Sequence, residues 1–358
     1  MVTAESVYQD RLVRAQAALA AAGADVLLVG PSPDLRYLTG IDAHISERLN
    51  LLVLPVTGRA SFVVPRLEAL NFEDKAGLLD LVAWEETESP TDKVAALIGG
   101  TAKRAVGDQL HAVFLLRIQD AVAGGSWIQG GPIIRELRVR KDAAEVEAQR
   151  EVARRTDVAW AQFLEAGPIS GMTETQAMQR LSDLMAAQGT VPMFGICASG
   201  PHAAMPHHHT GDRILQQGDS VIFDFGAELD GYLSDMTRTV FIGDPSAEQR
   251  KVYDIVLRAN QAAFEAVRPG VPCEDIDKAA RDLITAEGYG EAFIHRVGHG
   301  LGMDVHEDPY LVRGNTEPLT EGMVFSDEPG IYLAGKFGVR IEDTVLCTAD
   351  GAVRLNAA

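Results

Sequence analysis

Cysteine, basic side chains and long apolar runs are all in short supply in this chain. Its three cysteines, Cys197, Cys273 and Cys347, stand far apart with no CxxC pair. That fits a reducing compartment and excludes a disulfide scaffold or a thiolate zinc site. No apolar stretch approaches the ~20 residues a membrane-spanning helix needs. Residues 1–20 carry Glu5, Asp10, Arg11 and Arg14 without an uncharged core, so no secretory signal is expected and the expected location is the cytoplasm. Lys and Arg number 32 against 51 Asp and Glu, a net charge of -19. A surface that negative repels phosphate backbones and anionic lipid, so neither nucleic acid nor membrane is an expected partner. With 46% hydrophobic and 23% charged residues, the composition excludes a disordered, collagen-like or coiled-coil chain. A length of 358 residues predicts two domains.

Within residues 1–136, helical and strand signals alternate. Residues 8–22 are Ala-rich and helical, with Gly23 placed to end the helix. Val26-Leu27-Leu28-Val29 reads as a short buried strand closed by Pro31 and Pro33. Residues 51–54 and 61–64 read as two more strands around the Thr57-Gly58 turn. A small α/β domain is expected here, and no reactive side chains cluster in it.

Residues 137–358 carry a different pattern, one that repeats. Val152, Thr156, Ala159 and Phe163 form one stripe of a helix. Thr173 and Gln176 have capping-box spacing at the start of a second helix, which Gly189 stops, and a β-hairpin follows at residues 220–242. Ser246 and Gln249 then open a third helix, Pro269-Gly270 breaks it, a fourth runs to Gly288, and a second hairpin spans residues 324–346. Pro168 and Pro269, like Gly189 and Gly288, stand about 100 residues apart. A duplicated helix–helix–hairpin unit about a pseudo-two-fold axis is expected, which makes the whole chain α+β.

The hairpins hold the chemistry. If the first turn centres on Leu229-Asp230, Asp224 and Asp235 face each other with Cβ atoms ~5 Å apart. With the second turn centred on Gly335, Glu328 and Glu342 do the same. Like charges so close need a proton or a cation between them, and four converging carboxylates call for roughly two divalent cations. Oxygen ligands with a His or two suit Mn²⁺, Co²⁺, Fe²⁺ or Zn²⁺. The His comes from Gly298-His299-Gly300-Leu301-Gly302, whose glycines let the backbone come close to a metal centre. His306-Glu307 and the loop Pro206-His207-His208-His209 are further candidates.

In order and spacing, Asp224, Asp235, His299, Glu328 and Glu342 resemble the five dinuclear-metal ligands of the pita-bread metallopeptidases, family M24. The flanking strings resemble that family too: residues 234–239, 298–307, Glu328-Pro329-Gly330 and Arg340-Ile341-Glu342-Asp343. Tyr37-Leu38-Thr39-Gly40 looks like the creatinase-type N-terminal domain, which points to the Xaa-Pro branch, prolidase and aminopeptidase P. The resemblance implies a creatinase-like domain over residues 1–136 and a pita-bread catalytic domain over 137–358. It implies two divalent ions, Mn²⁺ first, with Asp235 and Glu342 shared between them, and a water or hydroxide held there as nucleophile. Glu328 would also shuttle the proton, His207 steady the substrate, His306 hydrogen-bond the tetrahedral intermediate and Arg340 orient a bridging carboxylate. Short peptides with proline at the second position are the implied substrates, and a homodimer the implied assembly.

Two features depart from the family pattern. The key His is followed by His208 and His209 where relatives usually have a small residue; spacing to Asp224 favours His207. Archaeal prolidases grip the dipeptide carboxylate with an Arg where this chain has Tyr310, so Arg313 is a substitute and cleavage of longer Xaa-Pro peptides an alternative. His202 and His295 read as structural or rim residues. The rival functions are a metal-free creatinase-type hydrolase and a non-catalytic binding protein; the intact ligand set speaks against both.

Overall fold

The computed structural model describes residues 4–357, which form two compact units divided between Arg138 and Val139. Among the described residues no helix is long and apolar enough to cross a membrane.

The first unit comprises α1 (Ala4–Ala21), β1 (Val26–Val29), α2 (Pro33–Thr39), β2 (Leu51–Pro55), β3 (Ser61–Pro65), α3 (Arg66–Ala69), β4 (Asp80–Trp84), α4 (Pro90–Ile98), β5 (Lys103–Val106), α5 (Ala112–Ala121), β6 (Ser126–Gln129) and α6 (Gly131–Arg138). Its six strands lie in the order β4-β3-β2-β1-β5-β6, antiparallel through β1–β2–β3 and parallel outside them. Central strands covered on both faces read as unbroken apolar runs, which is what residues 26–29 and 51–54 are. The Tyr37-Leu38-Thr39-Gly40 string has a structural cause. Gly40, at φ 69°, ends α2 in the left-handed conformation. Tyr37 is buried, donates from its hydroxyl to the Leu137 carbonyl, and lies under the Arg11 guanidinium at 4.0 Å.

The second unit begins with α7 (Ala143–Glu165), α8 (Glu174–Ala187), β7 (Val191–Ser199), β8 (Ser220–Leu229), β9 (Tyr232–Leu233) and β10 (Met236–Phe241). It continues with α9 (Ala247–Ala266), α10 (Cys273–Ala286), β11 (Gly298–Gly300), β12 (Glu307–Leu311), β13 (Val324–Asp327), β14 (Gly330–Leu333), β15 (Phe337–Arg340), β16 (Asp343–Thr348) and β17 (Gly351–Arg354). Capping boxes start α7, α8 and α9, from Asp142, Thr173 and Ser246. Each helix pair covers its own sheet: α7 and α8 pack on β8 through Trp160, Phe163, Phe223 and Phe225, and α9 and α10 on the β13–β16 sheet. Aromatic contacts of this kind add about 0.5–1.5 kcal/mol each beyond the area they bury. Because Phe223 and Phe225 point into that core, Asp224 points out of the opposite face.

The first hairpin differs from the expected register. Asp230 (φ 52°) and Gly231 (φ 93°) form the turn, so Asp224 faces Thr237 rather than Asp235. An Asp-Gly pair favours a two-residue turn with both residues at positive φ, which moves the centre one residue along. The slip displaces each pairing by two positions, so side chains keep their faces. Asp235, just before β10, still shares a face with Thr237. The second ribbon has the expected register, from Val324↔Leu346 through Gly330↔Arg340, but its ladder opens at Glu328 and Glu342. Glu342 instead bridges to Thr237 of the first hairpin, its N–H donating to the Thr237 carbonyl at 3.1 Å. That bridge joins the two acid-bearing ribbons.

Candidate metal centre

One cleft of about 590 Å³ in the second unit collects the expected metal ligands and catalytic residues: Asp224, Asp235, His299, Glu328, Glu342, His207, His306 and Arg340 all line it. Asp235, His299 and Glu342 are buried, Glu328 and Asp224 are half-buried, and His207 and His306 are exposed at the rim. Apolar side chains, among them Phe194, Ile196 and Val305, supply much of the remaining wall.

Arg340 organises the acids. It donates from Nη2 to Asp224 Oδ2 at 2.6 Å and from Nε to Thr237 Oγ1 at 3.1 Å, and that hydroxyl in turn donates to Glu342 Oε2 at 2.7 Å. One buried guanidinium thus holds Asp224 directly and Glu342 through Thr237. Its Nη1 reaches the buried Tyr332 hydroxyl at 3.0 Å, and Tyr332 lies 2.8 Å from His295 Nε2. His295 Nδ1 donates to the Arg296 carbonyl at 2.7 Å, so Nε2 accepts from Tyr332. Burial, with Arg340 nearby, lowers the His295 pKa to about 3 and keeps the ring neutral. The direction of every hydrogen bond from His295 to Asp224 is therefore fixed.

The donor set fits divalent cations. His299 donates from Nδ1 to the Gly300 carbonyl at 3.1 Å, and burial, then His306, lowers its pKa to about 3. Its Nε2 is left with a bare lone pair, aimed at Glu328 Oε1 (3.4 Å) and Asp235 Oδ2 (3.7 Å). Lone pair against carboxylate is repulsive unless a cation or a proton lies between them. Burial raises the Asp235 carboxyl well above the usual range, with Asp224 and Glu328 adding repulsion. Burial and Asp235 do the same to Glu342, while Glu328 rises to about 7, chiefly through burial. Donor atoms of Asp235, His299 and Glu342 lie within 4.8 Å of one another. Neutral imidazole nitrogen and buried carboxylates held by hydrogen-bonded neighbours are what a hard divalent ion requires.

The glycines around His299 act between strands rather than toward the centre. A Cβ on Gly298 would lie 1.9 Å from the Ser326 carbonyl oxygen, and one on Gly300 2.2 Å from that of Asp308.

The three-His loop separates by partner. His207 lines the cleft, whereas His208 turns away and places Nε2 2.9 Å from Glu174 Oε2. His202 reaches Glu174 Oε1 at 3.1 Å, and Ser199 and Gly211 donate to the same carboxylate. Burial alone would raise the Glu174 carboxyl; the bonds from Ser199, His208 and His202 hold it below its ordinary value. Glu174, His202 and His208 are a second group whose geometry is compatible with a metal ion. Glu174 is silent in the sequence because an acid in the first turn of a helix reads as a dipole complement. His295 is not a rim residue: it lines the cleft within the Tyr332–Arg340 chain. Thr237 and Tyr332 were visible in the sequence only as strand residues. Arg313 is exposed and outside the cleft wall; Arg296 lies in that wall instead, stacked 4.5 Å over the Tyr310 ring.

Residues 147–349 match Metallopeptidase family M24, and residues 11–140 match the Creatinase/Prolidase N-terminal domain. The probable dipeptidase PepE of Mycobacterium bovis is 42% identical over 356 residues, covering 98% of this chain and 94% of that protein. The crystal structure of a recombinant prolidase from Thermococcus sibiricus superposes with a TM-score of 0.94 at 40% identity, covering 98% of this chain and 97% of the other. A Xaa-Pro dipeptidase from Bacillus anthracis gives 0.90 at 29%, covering 98% of each. Duplicated ribbons, a cleft of buried acids around a neutral histidine, and matches along nearly the full length agree: the chain belongs to metallopeptidase family M24, joined to a creatinase/prolidase-type N-terminal domain, and is a hydrolase.

Proposed function

We propose that the enzyme is a dinuclear metal-dependent Xaa-Pro peptidase that hydrolyses the bond between an N-terminal residue and proline in short peptides. The observation that carries this reading is the bare Nε2 of His299 facing Glu328 and Asp235 inside a buried acid cluster. Asp224, Asp235 and Glu342 would hold one ion, and Asp235, His299, Glu328 and Glu342 the other, with Mn²⁺ the first choice and Co²⁺, Zn²⁺ or Fe²⁺ compatible. When bound, such a pair lowers the pKa of water and polarises the scissile carbonyl.

The chain's own groups divide the rest of the work. Glu328 Oε1 faces His299 and Ser326, which leaves Oε2 to take a proton from the attacking water and return it to the leaving nitrogen. A carboxyl drawn up to about 7 suits that exchange near neutrality. His207 and His306, at the rim, steady the substrate and donate to the oxygen that gains charge. Arg340 keeps Asp224 and Glu342 oriented. Phe194, Ile196 and Val305 offer the apolar wall a pyrrolidine ring requires. The names prolidase and Xaa-Pro dipeptidase carried by the relatives support the proline preference.

The test is hydrolysis of Ala-Pro, Ala-Pro-Ala and Ala-Ala by protein loaded with Mn²⁺, Co²⁺ or Zn²⁺, beside a chelated control and metal analysis. Chelator-sensitive cleavage confined to the proline peptides is expected. Absence of such cleavage ends this reading.

A further inference from the structure

Glu174 is a fully buried carboxylate bonded to no guanidinium or ammonium among the described residues. The Arg213 guanidinium, close enough to feel its charge, is committed to Asp219 at 2.6 and 2.8 Å and to the Ser199 hydroxyl at 2.6 Å. Glu174 has two imidazoles instead. His202 Nδ1 lies 3.1 Å from Oε1 and His208 Nε2 2.9 Å from Oε2, and the two ring centroids are 4.3 Å apart. The three residues come from separate stretches of chain. Glu174 opens α8, His202 sits in the 3₁₀ turn Gly200–Ala204, and His208 follows the cleft residue His207. The carboxylate is fixed in place by the N–H groups of Ser199 and Gly211 and by the Ser199 hydroxyl. Against burial, the bonds from Ser199, His208 and His202 keep it ionised.

Between a ring nitrogen and a facing carboxylate oxygen stands either a proton or a metal ion. A neutral imidazole carries its proton on either nitrogen, and moving it to the far one turns both lone pairs toward Glu174. One donor atom from each of the three residues lies within 4.8 Å of the other two. Two imidazoles and one hydrogen-bonded carboxylate form a zinc-type donor set, with a fourth position left for water. The set differs in kind from the cleft, where carboxylates outnumber the one imidazole ligand and harder ions are suited. We infer that Glu174, His202 and His208 form a separate Zn²⁺ site that pins the loop of His207 to the start of α8. The site takes no part in the chemistry of the cleft. It ties Glu174 to residues 28 and 34 positions further on, and by fixing His208 it holds His207 in the cleft wall. The inference does not depend on which peptides the enzyme cuts.

The experiment uses the full chain as wild type, His202→Asn and His208→Gln. The amide nitrogens of Asn and Gln fall near the positions of Nδ1 and Nε2, so both variants still donate to Glu174 while neither offers an imidazole ligand. Each protein is stripped with chelator, dialysed against Zn²⁺ and analysed for bound metal, and its melting temperature is read with and without Zn²⁺. Wild type should hold one more Zn²⁺ per chain than either variant and gain more in melting temperature. Zinc at this site should bind the variants more weakly by at least the roughly 10- to 100-fold that loss of a mere supporting partner costs. The comparison is a difference, so ions held in the cleft cancel whatever their number. Equal zinc content in the three proteins overturns the inference, as does an equal zinc-induced rise in melting temperature. Amide hydrogen exchange reads the pinning without turnover. Zn²⁺ should slow exchange over residues 206–211 in wild type but not in His202→Asn; slowing that is equal in both proteins, or absent from both, also refutes the assignment.

Discussion

Removing the metal and raising the pH should destabilise the catalytic unit, and the size of the effect follows from the cleft. In the metal-free protein Glu328 rises from 4.5 to about 7, and Asp235 and Glu342 rise well above their ordinary values. A carboxyl whose pKa is higher folded than unfolded binds more protons in the fold. Its stabilisation is complete below the unfolded pKa and is lost as pH rises through the folded one. For Glu328 the rise corresponds to about 3 kcal/mol, lost between pH 4.5 and somewhat above 7. His295 and His299 act oppositely, since both fall from 6.5 to about 3. They cost stability as pH drops below 6.5, so the two trends compete in mildly acidic solution. Above pH 6.5 the two imidazoles have little left to contribute, about 0.4 kcal/mol each at pH 6.5 and vanishing by pH 8, so the carboxyls dominate. From pH 6.5 to 8 the chelated protein should therefore lose about 1.4 kcal/mol per pH unit for each carboxyl still protonated in the fold. Saturating Mn²⁺ should cancel the loss, because bound cations replace the protons. Scanning calorimetry at pH 6.5, 7.25 and 8, with chelator or Mn²⁺, measures this, and the transition that Mn²⁺ moves identifies the catalytic unit. A chelated protein whose melting temperature is flat or rising over that range, and indifferent to Mn²⁺, would refute the reasoning.

Three further outcomes are expected. Arg340→Met leaves Asp224 without its guanidinium and breaks the relay through Thr237, so Mn²⁺ affinity measured by titration should fall roughly 10- to 100-fold, with kcat falling too; Arg340→Lys should rescue little, since an ammonium cannot span Asp224, Thr237 and Tyr332 together. Gly298→Ala puts a methyl 1.9 Å from the Ser326 carbonyl oxygen, so β11 and β13 must separate, at a cost of about 1–3 kcal/mol or more in urea unfolding. His208→Ala strips a donor from buried Glu174 and should cost about 1–3 kcal/mol and raise KM by loosening the loop of His207, whereas His209→Ala, at an exposed position, should leave the melting temperature unchanged.

The elements of this fold were legible wherever local chemistry decides them. Capping boxes at Thr173 and Ser246 mark real helix starts, and the apolar run at residues 26–29 is a central strand. Residues 191–199 gave no such signal: β7 is an edge strand whose exposed Val191 and Met193 alternate with half-buried neighbours. The acids of the site were legible because a buried carboxylate in an apolar strand has few explanations. Their exact pairing was not, since it depends on a one-residue choice of turn centre that the Asp230-Gly231 conformation settles. Thr237, Tyr332, His295 and Glu174 were hidden for a common reason. Each acts by contacting something far away in sequence, and in isolation each is an ordinary strand, loop or helix-start residue.

The electrostatics of the centre also explain why Arg340 belongs there. Asp224, Asp235, Glu328 and Glu342 bring four carboxyls into one cleft, and among the described residues Arg340 is the one guanidinium hydrogen-bonded to any of these carboxylates, through Asp224, which leaves three acids without a cationic partner. Without Arg340, Asp224 would lose the guanidinium that is hydrogen-bonded to it, and Glu342 the relay through Thr237. With it, Asp224 has a committed cationic partner, and the unbalanced charge concentrates on Asp235, Glu328 and Glu342, around the bare nitrogen of His299. Protons and divalent cations then compete for the same three carboxyls. Metal affinity must rise steeply with pH, by more than one proton released per ion at the low end of the range, and a cleft that bound Mn²⁺ equally well at pH 5.5 and 8 would not be built the way these side chains are.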